Sequence, residues 1–197
     1  MVKGGCPVAE IPTLMHHRAK RYYTECTRYR EAMVQRIIAT RPSAIILSSW
    51  DHYIPADGAD AAWQVTPDTW RAGLRKTYAR LTATGIPVVV IRGTPRTWFD
   101  VPGCLSRKAA ALPLARDCTY DRASSLSRVA RRAQDDAARG LPIRFVDMND
   151  AICSTPTCSP VANGTVIFTD DNHLTASFSR SVAPLLAERI ATAIASH

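Results

Sequence analysis

Apolar residues recur at helical spacing in four stretches of the chain, and four shorter stretches are mostly or wholly apolar. Cys26, Tyr29, Met33 and Ile37 step by three and four, with Arg28, Arg30 and Arg36 elsewhere around the turn. This predicts a helix from about Thr24 that Pro42 ends. Trp70, Leu74, Tyr78 and Leu81 form a second stripe, opened by Thr66 as N-cap with Pro67 at the first helical position and stopped by Gly85. Leu126, Val129, Ala130, Ala133 and Ala137 form a third over residues 124–139, stopped by Gly140. The last helix places Phe178, Val182, Leu186, Ile190 and Ile194 on one face, with Pro184 inside it as a point of kinking. Between the helices lie Ala44-Ile45-Ile46-Leu47, Pro87-Val88-Val89-Val90-Ile91, Ile143-Arg144-Phe145-Val146 and the short run 165–168. Such runs are typical of parallel strands buried on both faces.

The order helix-strand-helix-strand-helix-strand-strand-helix predicts an α/β fold, a three-layer α/β/α arrangement with a parallel sheet and right-handed crossovers. Four strands make a thin sheet. Residues 1–23 look irregular, so the chain opens on a loop and a helix as though a first strand preceded them. Polar residues follow the strands, above all Ser48-Ser49-Trp50-Asp51-His52-Tyr53 and Asp147-Met148-Asn149-Asp150. The carboxyl ends of strands are where open α/β sheets place binding groups. Arg92 and Arg96, beside Thr94-Pro95, are candidates for holding an anionic group, with solvated arginine as the plainer reading. Asp57-Gly58 marks a loop, and His16-His17 reads as solvated. A long loop is expected around Cys104 and Cys118 and a tight turn at 153–158. Asn163-Gly164-Thr165 fits a glycosylation sequon but reads as a turn.

Composition narrows the class. An apolar content of 46% with 21% charged residues belongs to a folded globular chain, and 197 residues suit one domain. No apolar run, 44–47 and 86–91 included, is long enough to span a bilayer, and the first residues carry no signal-like apolar region. The net charge of +8 comes from arginines scattered along the chain, which fits solvated positions better than a nucleic-acid surface. The six cysteines are more telling. No CxxC pair offers zinc spacing, and the natural pairing is local: Cys6 with Cys26, Cys104 with Cys118, Cys153 with Cys158, although spacing alone does not fix connectivity. Three disulfides imply an oxidising compartment outside the cytoplasm, which speaks against nucleic acid and requires an export signal upstream.

The candidate chemistry lies near the C-terminus, in Thr169-Asp170-Asp171-Asn172-His173-Leu174-Thr175. An acid three residues before a His, between a strand and a helix, can hold one imidazole nitrogen and leave the other to take a proton from a hydroxyl. That motif, together with Gly5-Cys6-Pro7, Pro42-Ser43-Ala44-Ile45-Ile46-Leu47-Ser48-Ser49-Trp50, Val88-Val89-Val90-Ile91 with Thr94-Pro95, and Cys104-Leu105, resembles the SGNH hydrolase superfamily (the GDSL esterase and lipase type). The resemblance extends over nearly the whole chain. It is nearer still to the SGNH domain that follows membrane-embedded acyltransferase-3 domains in bacterial O-acyltransferases.

The resemblance implies a flavodoxin-like sheet, His173 as general base and Asp170 as its orienting acid, with Asp171 the competing partner. It also implies acyl transfer through a serine ester, with acetyl the expected group and a cell-surface carbohydrate as acceptor. The partners would be that acceptor, an acyl donor and an upstream membrane acyltransferase domain; no metal or organic cofactor is required. Two departures stand out. The Gly-Asp-Ser block that carries the superfamily's serine is absent, so the domain is expected to lack its first strand and, alone, to be weak or inactive. Trp50 stands where the Gly-x-Asn-Asp motif has the oxyanion-hole Asn, as in acyltransferase-linked members, leaving that hole to backbone N–H groups. Ser49, Trp50 and Thr94 are the substrate-pocket candidates. Two other outcomes are a secreted carbohydrate esterase of the same fold and a non-catalytic glycan-binding module.

Overall fold

The computed structural model describes residues 3–16, 18–54, 65–111 and 117–196. The elements run β1 (Met15–His16), β2 (Arg21–Tyr22), α1 (Thr24–Thr40), β3 (Ile45–Ser48), a 3₁₀ turn (Asp51–Tyr53), α2 (Pro67–Thr82), β4 (Val88–Ile91), α3 (Val101–Ala109) and β5 (Tyr120–Asp121). They continue with α4 (Arg122–Ser125), α5 (Arg128–Ala138), β6 (Ile143–Val146), α6 (Asn149–Ile152), β7 (Thr157–Cys158), β8 (Val161–Ala162), β9 (Thr165–Val166) and α7 (Ala176–Ala195). The chain divides into two compact units: residues 1–92, 127–146 and 192–197, and residues 93–126 with 147–191. The loop expected at Asp57-Gly58, and His17 of the His pair, fall outside the described residues.

The first unit holds the parallel sheet, in the order β3-β4-β6. Ile45 pairs with Val88 and Val88 with Ile143, and the register continues in step to Ser48, Ile91 and Val146. The central strand β4 has Val88, Val89 and Val90 all buried, so both of its faces are covered, as its unbroken apolar run implies. Thr66 accepts from the N–H of Thr69 at 3.2 Å and Pro67 takes the first turn of α2, which buries Trp70, Leu74, Tyr78 and Leu81. Helix α2 packs on α5. One core joins these side chains to Cys26 and Val34 of α1, Ile45, Val88, Val90, Ile143 and the alanines of α5.

Three expectations are corrected here. Arg30, placed on the outer side of α1, is buried and donates to Cys26 Sγ at 3.2 Å, while Tyr29, Met33 and Ile37 are only half-buried. Burial pushes the Arg30 guanidinium's pKa below its ordinary value. The single helix over 124–139 is two. Asp121 caps α4 through Ser124 N–H, Leu126 turns extended, and Ser127 Oγ caps α5 afresh by accepting from Ala130 N–H at 3.1 Å, leaving Val129 exposed. Two capping residues in one apolar run start two helices. The fourth strand does not join the parallel sheet. Thr165 and Val166 pair antiparallel with Ala162 and Val161 across Asn163-Gly164, whose φ values of 48° and 73° make a tight hairpin turn.

The outer edge of β3 therefore has no strand beside it among the described residues. Ile45 N–H bonds to Pro87 O at 2.8 Å, so in a parallel ladder Ile45 and Leu47 face β4, while the backbone groups of Ile46 and Ser48 point the other way. Ile46 is 42% exposed. A cleft of about 550 Å³ lies along this edge, walled by Ile45, Ile46 and Leu47 on one side and Tyr29, Met33 and Ile37 of α1 on the other.

In the second unit, Val101, Tyr120, Ile152, Ile167, Phe168 and Phe178 form a separate core with the Cys153 and Cys158 pair. The expected long loop contains α3, which Asp100 caps by accepting from Gly103 N–H at 3.0 Å, with Pro102 in its first turn. Disulfides join Cys6 to Cys26 in the first unit, and Cys104 to Cys118 and Cys153 to Cys158 in the second. No helix among the described residues is long and apolar enough to cross a membrane.

Candidate active site

The loop that follows β9 is closed at its base. Phe168 bridges Leu174, Thr169 N–H donates to His173 O at 2.8 Å, and Thr175 N–H donates to Ile167 O at 2.8 Å. Thr175 Oγ1 donates to Val166 O at 2.7 Å and accepts from Phe178 N–H at 3.1 Å, so one hydroxyl ties the loop to the first turn of α7. Ile167 and Phe168 are fully buried beneath it. A loop pinned in this way holds its polar residues in one geometry.

Inside the loop Asp170 does three things. Its Oδ1 accepts from the N–H groups of Asn172 at 2.8 Å and His173 at 2.7 Å, and its Oδ2 lies 2.6 Å from His173 Nδ1. Partial burial works to raise the Asp170 pKa, but the two backbone N–H groups and the imidazole outweigh it and hold the carboxyl below its ordinary value. The acid is therefore a carboxylate at neutral pH, and Nδ1 carries the proton it accepts. Nε2 is left as the basic nitrogen, on a side chain that is 75% exposed.

The neighbouring acid has another task. Asp171 accepts from Arg96 Nε at 2.7 Å, and its backbone O accepts from Thr97 N–H at 2.8 Å. Asn172 Nδ2 donates to Asp171 Oδ1. Arg96 N–H donates to Ser125 O at 2.9 Å. The segment that leaves β4, with Thr94 half-buried in it, is thus stapled to the His173 loop through Asp171. Arg96 is engaged by a carboxylate rather than set out for an anion. Arg92 is buried in the first unit, where it donates to Gln134 Oε1 at 2.7 Å and to Asp135 and lies over the Phe145 ring at 3.5 Å. Gln134 in turn donates to Asp51 at 2.7 Å.

Ser49 and Trp50 belong to the first unit. The Ser49 Oγ is buried with no hydrogen-bond partner among the described residues. Trp50 packs against the first core, with His52 and Tyr53 rings at 5.5 and 5.4 Å, and Tyr53 stacks on Trp70. His16 is half-buried, edge-on to Tyr23 at 4.7 Å, and its Nδ1 accepts from Ala19 N–H. No cluster of metal-ligating side chains occurs among the described residues. The residue missed in the sequence is Trp98, while Arg96, singled out there for an anionic group, takes Asp171 as its partner instead. Trp98 donates Nε1–H to Ser124 O at 3.2 Å and has the Arg96 guanidinium 4.3 Å from its ring centroid. Only the alternation of Arg and aromatic at 96–98 hinted at this.

A parallel α/β sheet together with an Asp-x-x-His loop placed before the last helix defines an SGNH-type domain. The family model described as "SGNH domain (fused to AT3 domains)" matches residues 1–188, and the chain belongs to that family. No curated protein matches it. Among solved structures it is similar to the periplasmic domain of the lipopolysaccharide acetyltransferase of Salmonella ser. Paratyphi A. The TM-score is 0.64 at 12% identity, covering 95% of this chain and 71% of that one, a likeness of fold.

Proposed function

We propose that this chain is the extracytoplasmic SGNH domain of an O-acyltransferase, passing an acyl group, acetyl in the first instance, to a hydroxyl of a cell-surface carbohydrate. The observation that carries the reading is the geometry at His173, with Nδ1 held by the Asp170 carboxylate and Nε2 left basic on an exposed ring. In this scheme Nε2 takes the proton of a serine hydroxyl as its oxygen attacks the acyl carbonyl, and returns it to the leaving group. In the second half Nε2 takes the proton of the acceptor hydroxyl as that oxygen attacks the ester, and passes it to the serine oxygen that leaves. Asp170 fixes the tautomer and stabilises the imidazolium that forms in each half. Membership of a family fused to AT3 domains supports a membrane domain as the upstream partner and acyl source. The three disulfides support an oxidising location.

The serine comes from a segment outside these 197 residues. Residues 1–197 form a single SGNH-type domain that one more strand completes, and the open edge of β3 with its apolar cleft supports a place for it. The test is hydrolysis of an aryl acetate. The chain alone is expected to show little turnover. The chain preceded by the upstream reading frame through its Gly-Asp-Ser block is expected to turn over, and to lose about 10⁴–10⁶-fold in His173→Ala. An extended chain that is inactive, or equally active with His173→Ala, overturns the reading.

A further inference from the structure

Trp98 is 53% exposed, whereas Trp50 and Trp70 pack in the first core. Its backbone sits at φ 64°, in the left-handed region that strains a bulky side chain. Nothing about burial recommends a tryptophan there. The conformation is nevertheless fixed from several directions. Thr97 N–H donates to Asp171 O and Thr97 Oγ1 to Phe99 O at 2.8 Å, the Phe99 ring packs against the second core, and the indole N–H is committed to Ser124 O. Arg96 lies over the ring while its Nε holds Asp171, the residue beside Asp170. The exposed indole and the loop that carries His173 are one hydrogen-bonded assembly. A strained, over-determined and solvent-facing aromatic is what a contact surface requires.

We infer that Trp98 is the stacking platform for the sugar ring whose hydroxyl receives the acyl group, an inference that rests on the function proposed above. An indole offers a flat apolar surface, and a pyranose presents one face made largely of C–H groups. The polar groups around the indole suit the rim of such a ring. Asp171, Asn172 and Arg96 are hydrogen-bonding groups, and the Arg96 charge is matched by Asp171, so the surroundings are polar without a net charge that would select an anion. The tie through Asp171 keeps the platform in a fixed relation to His173.

The test is a titration of the ¹⁵N-labelled chain with methyl α-rhamnopyranoside and methyl β-galactopyranoside, followed through amide and indole N–H resonances. The Trp98 indole signal, assigned by its loss in Trp98→Phe, is expected to move saturably with a dissociation constant on the order of 1–10 mM. Trp98→Ala is expected to weaken binding about tenfold, and Trp98→Phe, which keeps an aromatic face, only about threefold. If the sugars move the signals of Asp171, Asn172 and His173 but not Trp98, and bind Trp98→Ala equally, the platform is overturned while the acceptor site stands. If no signal moves with either sugar, both are overturned. The spectrum of each variant shows directly whether it is folded.

Discussion

Two adjacent carboxylates, Asp170 and Asp171, take different partners at 2.6 and 2.7 Å, a histidine three residues on and an arginine 75 residues back. Backbone N–H groups decide the split, since only Asp170 sits where the N–H groups of Asn172 and His173 converge. Its lowered pKa has a consequence for stability. A carboxyl whose pKa is lower folded than unfolded stabilises above the ordinary value of about 4, and that contribution is lost as pH falls through the folded value. Asp170→Asn is therefore expected to lower the melting temperature at neutral pH and to narrow its gap to the parent chain as the pH drops below about 4. A gap that is constant with pH would contradict this. The Asp-x-x-His spacing made one half of this arrangement legible in the sequence. The Arg96 half was not, because a contact across 75 residues leaves no local pattern. Trp98 escaped notice for a related reason, since a positive φ at a bulky residue belongs to no sequence motif.

At the scale of elements, periodicity located α1, α2, β3, β4, β6 and α7 close to where they lie, because each carries an apolar stripe or run, which α2 and β4 bury most fully. It failed where local hydrogen bonds outrank the stripe. Ser127 restarts a helix inside what reads as one, Asp100 starts α3 in what reads as loop, and Asn163-Gly164 folds the last apolar run back on its neighbour. Another such case is Gly73 in α2. Glu10 N–H donates to Gly73 O at 3.0 Å and Thr77 Oγ1 to Val8 O at 2.6 Å, so the N-terminal segment lies directly on the helix. A Cβ on Gly73 would stand 2.9 Å from Glu10 O, a backbone atom that cannot swing aside. Alanine elsewhere in a helix gains about 1 kcal/mol over glycine. Here Gly73→Ala is expected to lose about 1–3 kcal/mol, read as a lower urea midpoint at unchanged slope. A gain would mean that the segment does not lie on α2.

At the scale of the molecule, the sequence's expectation of a parallel α/β sheet stands, with three strands in place of four among the described residues. Among the described residues the outer edge of β3 carries no strand, and the function proposed above gives that edge to the segment with the Gly-Asp-Ser block. A sheet edge with a half-exposed isoleucine and an apolar cleft beside it is also a template for unwanted pairing, which a completing strand would remove. The division into two units could not be read in advance, because each is assembled from separated stretches of chain.

The cysteine connectivity has a consequence for how the chain is made. In order of appearance, first bonds to second, third to fourth and fifth to sixth, across separations of 20, 14 and 5 residues. A chain threaded out of a membrane N-terminus first presents each cysteine with its proper partner before any other unpaired thiol follows. Oxidation in order of emergence therefore yields the native set, with no shuffling to correct. In a bacterial host, deleting the periplasmic thiol oxidase is expected to abolish the folded product, whereas deleting the disulfide isomerase leaves its yield unchanged, as read by non-reducing electrophoresis of the exported chain. A yield that depends on the isomerase would show that the bonds do not form in order of emergence.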